Sequence, residues 1–297
     1  MRLRESAIAR LAAAAVALAI VTTVTPLHGA GRVFGWKATG KPGVVYLVGS
    51  VHLLSKDFYP LNPALEAAYK DSDLLAEEVN LGEMEQPDAQ MTLLAKGMLP
   101  SGQTLDSVLT PSTKALLDKH LGNFGPMAEV AKRFKPWMAA LTIESLAWVN
   151  AGFDPNLGLD KHFYDRAVAD GKTVQGFETM AFQVGLFDDM PMDQQDRLLA
   201  SMLKDIDTEQ ANMTKLIAAW RDGDAPTVER LVLADMKGEP AVYKRMLVDR
   251  NKNWIPKIDQ LLSRNGTSLV VVGAAHLVGP DGLLAMLRAK GYAIEQL

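Results

Sequence analysis

Val44-Val45-Tyr46-Leu47-Val48-Gly49-Ser50-Val51-His52, near the start of the chain, has an echo near its end in Ser268-Leu269-Val270-Val271-Val272-Gly273-Ala274-Ala275-His276. Each is an apolar, β-branched run closed by Gly-x-x-His, the pattern of a buried strand running into a turn that carries an imidazole. Apolarity without alternation points to strands covered on both faces, as in a parallel sheet. Glycine permits a turn or a close approach where a side chain would clash. Ligands of such sheets collect at the carboxyl ends of the strands, so two matching strands would deliver His52 and His276 to one edge.

Outward from these runs, Arg32 to Ala38 reads as a strand joined to the first run by the turn-rich Thr39-Gly40-Lys41-Pro42-Gly43. Gly35 to Lys41 imitates a phosphate-binding loop but precedes its strand, and Pro42 stands where Ser or Thr would hold magnesium. Asn62-Pro63 caps and starts a helix to about Lys70, and Asp73 to Leu81 is a second strand. From about Glu83 to Gly171 the pattern is helical, with starts at Thr110-Pro111, Pro136 and Leu159. Thr173 to Glu178 is a short strand; helices resume from Thr179, Met192, Thr208, Thr227 and Pro240, the last reaching towards Leu262. After the second run, Gly279-Pro280 opens a helix to Lys290, and Tyr292 to Glu295 reads as an edge strand. The fold class is therefore α/β. A small mixed sheet is built from both chain ends (31–82, 173–178 and 267–297), with a large helical insertion or cap over about 83–265.

At 297 residues, 48% hydrophobic and 22% charged, the chain is long and apolar enough to fold as one large core or two modest ones. A net charge of −4 and the lack of a Lys/Arg run argue against a nucleic-acid partner. Arg2, Arg4 and Arg10 ahead of the apolar stretch Leu11 to Val24 read as a signal peptide over residues 1–30. That stretch is shorter than the roughly 20 residues a spanning helix needs, so the expected location is periplasmic or secreted, with membrane contact only if the segment stays uncleaved. With no cysteine, disulfides and thiol catalysis are both excluded.

Four side chains fall at the predicted carboxyl ends of strands: His52, Glu78, Glu178 and His276. Two imidazoles and one or two carboxylates can surround a divalent metal and leave a position for water, with a spare glutamate as general base. Plainer readings stand beside this one. A histidine after a strand can be a hydrogen-bonded structural residue, Glu78 a solvated strand end, and Glu178 the cap of the following helix. Glu77 and Glu78 point to opposite faces, and Glu77 is expected to be the exposed one. Arg250 and Asn251 belong either to a solvated helical face or to a guanidinium clamp on a carboxylate or oxyanion. Asp160 either caps its helix or supports a site residue. His120 and His162 read as structural, and the 14 methionines mostly as core filler. No His-Glu-x-x-His helix and no Gly-x-Ser-x-Gly elbow is present.

Taken in order, Gly49-Ser-Val-His52, the Asp73 to Glu78 strand, Gly158-Leu-Asp160, Gly176-Phe-Glu178-Thr179, Asp249-Arg250-Asn251 with Trp254, and Gly273-Ala-Ala-His276 resemble the motifs of TraB/GumN proteins. The resemblance covers essentially everything after the export segment. That family is similar to the Tiki proteins, membrane-tethered metalloproteases with two Gly-x-x-His motifs, and more distantly to the erythromycin esterase and ChaN-like fold. The resemblance implies a divalent-metal-dependent peptidase or related hydrolase; manganese, cobalt and zinc are the candidate ions, among which a His/Glu set does not choose. In that reading His52 and His276 match the motif histidines, Glu78 and Glu178 the acidic positions, and Arg250 the arginine of an Arg-Asn pair. Phe177 departs from the leucine usual before the glutamate. Two other functions share the scaffold: a protein holding metal or haem without turnover, and a partner-binding module using the helical block.

Overall fold

The two glycine-terminated runs pair directly with each other. The computed structural model describes residues 31–122, 127–234 and 239–297; the expected signal peptide lies outside them. Six strands, β1 (Gly35–Thr39), β2 (Val44–Ser50), β3 (Leu74–Val79), β4 (Thr173–Glu178), β5 (Thr267–Gly273) and β6 (Ala293–Gln296), form one sheet in the order β4-β3-β5-β2-β1-β6. The four from β4 to β2 are mutually parallel, and β1 and β6 extend the sheet in antiparallel sense. In the β2–β5 pair Val44 faces Thr267 and Ser50 faces Gly273, so the strands end level. Val45, Leu47 and Val48 of β2 and Leu269 to Val272 of β5 are buried, as runs covered on both faces must be. Each such side chain contributes roughly 1.5–3 kcal/mol on leaving water.

The main helices are α1 (Pro63–Asp71), α2 (Pro87–Gly97), α3 (Pro111–Leu121), α4 (Pro136–Asn150), α5 (Leu159–Ala169), α6 (Met180–Asp188), α7 (Met192–Arg221), α8 (Ala225–Ala234), α9 (Asp249–Ser263) and α10 (Leu283–Ala289). The expected caps are in place: Asn62 Oδ1 accepts from the Ala64 amide at 2.9 Å, with Pro63 in the first turn of α1. The Thr110 hydroxyl, which caps α3, is held by Asp196 at 3.0 Å.

Two apolar cores result. One surrounds the sheet; the other, built on Leu117, Phe134, Ile143, Leu199 and Leu203, lies within the helical block. The 30-residue α7 joins them, placing Leu199 and Leu203 in the block's core and Ile217 and Trp220 in the sheet's. The expected helix start at Thr208 is absent. No glycine or proline interrupts 192–221, and an interior threonine costs well under about 1 kcal/mol against alanine, too little to break a helix. After β5 the chain differs from expectation too: a one-turn helix, Ala274–Leu277, precedes α10, which starts at Leu283 instead of Gly279. Among the described residues no helix is long and apolar enough to cross a membrane.

Candidate active site

The carboxyl ends of β2, β3, β4 and β5 lie along one edge, and each carries a residue singled out from sequence. They form two groups. In the first, Glu78, Glu178, Arg250 and His276 meet in one hydrogen-bonded cluster. Arg250, near the start of α9, donates from Nη2 to Glu78 Oε2 (2.5 Å) and Glu178 Oε2 (2.8 Å), from Nε to Glu178 Oε1 (3.0 Å), and from Nη1 to His276 Nε2 (3.0 Å). Its guanidinium also lies 4.8 Å from the centre of the Trp254 ring. Charge-assisted bonds of this kind suit the planar fork of arginine. A single π-helical turn, Lys244–Val248, precedes α9 and shifts the rotational phase at which Arg250 enters.

The two glutamates differ. Glu178 is held by the Trp254 indole N–H (2.9 Å) as well as by Arg250, and its side chain is 6% exposed. Glu78 faces a cleft, and its Oε1 accepts from the Gly273 amide at 2.7 Å. A Cβ at Gly273 would stand 3.1 Å from that oxygen, so the second motif glycine admits the glutamate. Burial pushes the Glu78 carboxyl up, but the charge of Arg250, with that of His52 and the Gly273 amide bond, outweighs it and holds it at about 2. Gln183 of α6 bridges the pair, 3.2 Å from each carboxylate.

His276 rides on the short helix after β5. Its ring centre is 4.3 Å from that of Trp254, and its Nδ1 lies 2.6 Å from Asn251 Oδ1. Burial, with the charge of Arg250, pushes the ring down to about 3. It is therefore neutral: Nδ1–H donates to Asn251, and the Nε2 lone pair receives Arg250. Asn251 is itself fixed by the Asp281 carbonyl at 2.8 Å.

His52, in the second group, stands apart from Arg250. Its side chain is 64% exposed, with Nδ1 3.2 Å from Asp160 Oδ2. Asp160 in turn accepts from the Ser50 hydroxyl at 2.5 Å. The Gly158-Leu-Asp160 motif docks here because the Leu159 amide donates to the Val51 carbonyl (3.1 Å), and a Cβ at Gly158 would lie 2.2 Å from the His52 carbonyl oxygen. Asp160 raises the imidazole pKa to about 9, an effect that water around so exposed a ring screens.

Glu77 is not exposed. It is 2% accessible, neither carboxyl oxygen makes a regular hydrogen bond, and burial beside Asp160 and Glu78 pushes it up to about 9. Alternation does turn it away from Glu78, but both faces of this sheet are covered, and β3 packs against α5. His120 is buried in the helical block, and His162 lies between Arg166 (3.3 Å) and Tyr59. Asn251, Gln183 and Trp254 as partners of the cluster, and Asp160 as the partner of His52, are fixed by packing; of these Asp160, Asn251 and Trp254 belong to motifs visible in the sequence, and Gln183 does not.

Donor chemistry here suits a divalent ion. Each motif histidine has Nδ1 tied to an oxygen, the arrangement that orients a ligand ring and presents Nε2, and Glu78 is ionised and 3.8 Å from His276 Nε2. Arg250 Nη1 presently donates to that nitrogen, so an ion there requires the guanidinium to yield it. Among the described residues no three His, Asp or Glu side chains already stand together as a ligand set.

The profile of the TraB/PrgY/gumN family matches residues 34–296. The chain is similar to the YbaP proteins of Escherichia coli (strain K12) and Shigella flexneri, each 23% identical over 243 residues, covering 82% of this chain and 87% of the relative. No solved structure matches it significantly. With its two strand-borne Gly-x-x-His motifs inside the matched span, the chain belongs to the TraB/PrgY/gumN family.

Proposed function

We propose that the chain is an exported divalent-metal-dependent hydrolase of peptide bonds, acting in the periplasm or outside the cell. The observation that carries this reading is the pair of level strand ends with an imidazole after each, one held through Nδ1 by Asp160 and the other by Asn251, with the Glu78 carboxylate 3.8 Å from His276 Nε2. His52 Nε2, His276 Nε2 and Glu78 are the groups to hold the ion. When bound, a manganese, cobalt or zinc ion supplies Lewis-acid polarisation of a carbonyl and acidification of a water.

The remaining residues have roles that follow from their contacts. Asp160 and Asn251 fix the two rings. Glu178, enclosed by Arg250 and Trp254, keeps the guanidinium charged and oriented. Arg250, whose Nη1 leaves His276 Nε2 when the ion takes that nitrogen, is then the cation to stabilise negative charge developing on a substrate oxygen. Of the two glutamates, Glu78 is the one in the cleft wall and so the one that meets substrate.

The test is hydrolysis of a broad peptide library by the full purified chain with manganese, cobalt or zinc. The expected result is metal-dependent cleavage that His52→Ala abolishes. His52 is the informative position because its exposed ring can be removed without opening the core. A wild-type protein that binds metal by calorimetry but cleaves nothing under any of the three ions would leave a metal-binding protein without turnover.

A further inference from the structure

α2 is a helix almost without a core. Of its 11 residues only Gly97 is buried, while Met91 is 70% exposed and Leu94 53%. Its firm attachments are at the carboxyl end, where the Gly97 carbonyl accepts from the Lys135 amide (2.7 Å) and the Leu99 amide donates to the Arg133 carbonyl (2.9 Å). A Cβ at Gly97 would overlap the Met138 side chain, so glycine lets the helix end against α4. At the other end Gln86, the residue before Pro87, supplies no side-chain cap. Between these ends α2 rests on α6. A helix of this length is marginal in water and draws its stability from burying an apolar face. α2 leaves two of its largest apolar side chains outside.

That exposed face borders the cleft at Glu78, whose volume is about 560 Å³, within the range of ligand-binding clefts. Gln90 and Leu93 of α2 stand in its wall, with Leu81, Met84 and Met180. At about 100° per residue, Leu93, Gln90, Leu94 and Met91 follow one another round the helix. The apolar surface therefore runs from the cleft wall out to solvent, with Gln90 alone interrupting it. Thioethers at Met84, Met91 and Met180 are unbranched and polarisable, and adapt to apolar groups of differing shape. An apolar patch of this kind beside a cleft marks a binding surface. Glu78 and Gly273 line the same cleft, so whatever fills it lies at the strand ends where the ion would be held. An extended chain meets both demands: at about 3.3 Å per residue, one residue lies over the carboxylate while its neighbours reach α2. A second folded copy would cover α2 without entering the cleft.

We propose that α2 and the cleft beside it form one groove for an extended apolar segment of polypeptide, so that the substrate is an unfolded chain rich in aliphatic or aromatic side chains. This rests on the peptidase reading and adds the class of substrate. Leu93, Leu94 and Met91 cover the bound segment from the helix side, and in doing so α2 gains the apolar partner that the free protein does not give it.

The experiment is binding to the full chain, without added metal, of two blocked fluorescent peptides that differ only at the centre, Leu-Phe-Leu against Ser-Asn-Ser. Affinity is read by anisotropy, and amide hydrogen exchange of α2 is followed alongside. The apolar peptide is expected to bind at least about tenfold tighter, the scale of apolar pocket discrimination, and to slow exchange across 87–97. Leu94→Asp should remove most of that advantage and Met91→Asp part of it; both side chains already reach water, so the fold should persist. Val168→Asp, on α5 and 55% exposed but outside the cleft wall, should change nothing. Equal affinity for the two peptides, unaltered exchange in α2, or equal weakening by Val168→Asp overturns the groove. So does a concentration-dependent dimer that Leu94→Asp dissolves, which assigns the face to a second copy. Hydrolysis of both peptides is then measured with manganese, cobalt or zinc. Cleavage with no preference between them removes the groove and leaves the peptidase; the expected binding pattern with no cleavage removes the peptidase and leaves the groove.

Discussion

His52 and His276 close the same four-residue motif at neighbouring strand ends, yet one side chain is 64% exposed and the other 5%. One carries a proton to about 9 and the other gives it up by about 3. The backbone does the same thing in both places, ending a parallel strand at the same level. What differs is the element that packs behind each ring. α9 closes over His276 with Arg250, Asn251 and Trp254, whereas α5 offers His52 a carboxylate at its rim and leaves the ring in water. A local motif fixes where an imidazole stands; a distant helix fixes its charge.

The strongest challenge to this contrast is Arg250→Ala. It leaves Glu78 and Glu178 without their common cation, and breaking a buried ion pair from one side costs about 3–5 kcal/mol. Urea denaturation should show that loss; a change near zero would mean that α9 does not hold the cluster together. Next come matched histidine deletions. His276→Ala opens a gap beside Trp254 and strips Arg250 and Asn251 of a partner, for about 2–4 kcal/mol. His52→Ala should stay within about 0.5 kcal/mol, as surface changes do. Equal costs would erase the distinction.

The smallest effect sharpens it. His52 has a folded pKa raised from 6.5 to about 9 by Asp160. The stability this contributes is fully present below 6.5 and is lost as pH rises through about 9. For an exposed pair it amounts to no more than about 1 kcal/mol. Asp160→Asn should therefore flatten the stability–pH curve across that window and return the His52 titration, followed by NMR, towards 6.5. An unchanged titration would show that Asp160 does not set it.

The sheet was legible in the sequence because strands buried on both faces cannot alternate, and β2 and β5 announce themselves as unbroken apolar runs. Helix starts at Asn62-Pro63 and Thr110-Pro111 were legible through cap chemistry. Glu77 departs from the expected exposure for the reason that makes the sheet readable: in a doubly covered strand, pointing away from one site is not pointing at solvent. That Arg250 gathers two glutamates and a histidine from three other segments could not be read from spacing, since the partners meet only through tertiary contact. The exposure of His52 against the burial of His276 was equally hidden, their motifs being alike.

β5, inside the sheet, is also made after both of the strands that flank it. β5 pairs with β2 on one side and β3 on the other, and β2 and β3 share no ladder of their own. While the ribosome is still short of residue 267, β2 has only β1 beside it and β3 only β4, so each keeps one open edge towards water. Such long-range closure slows folding and prolongs the time in which sticky surfaces meet other chains. Loss of the final thirty or so residues should thus yield an aggregating product and not a smaller folded one.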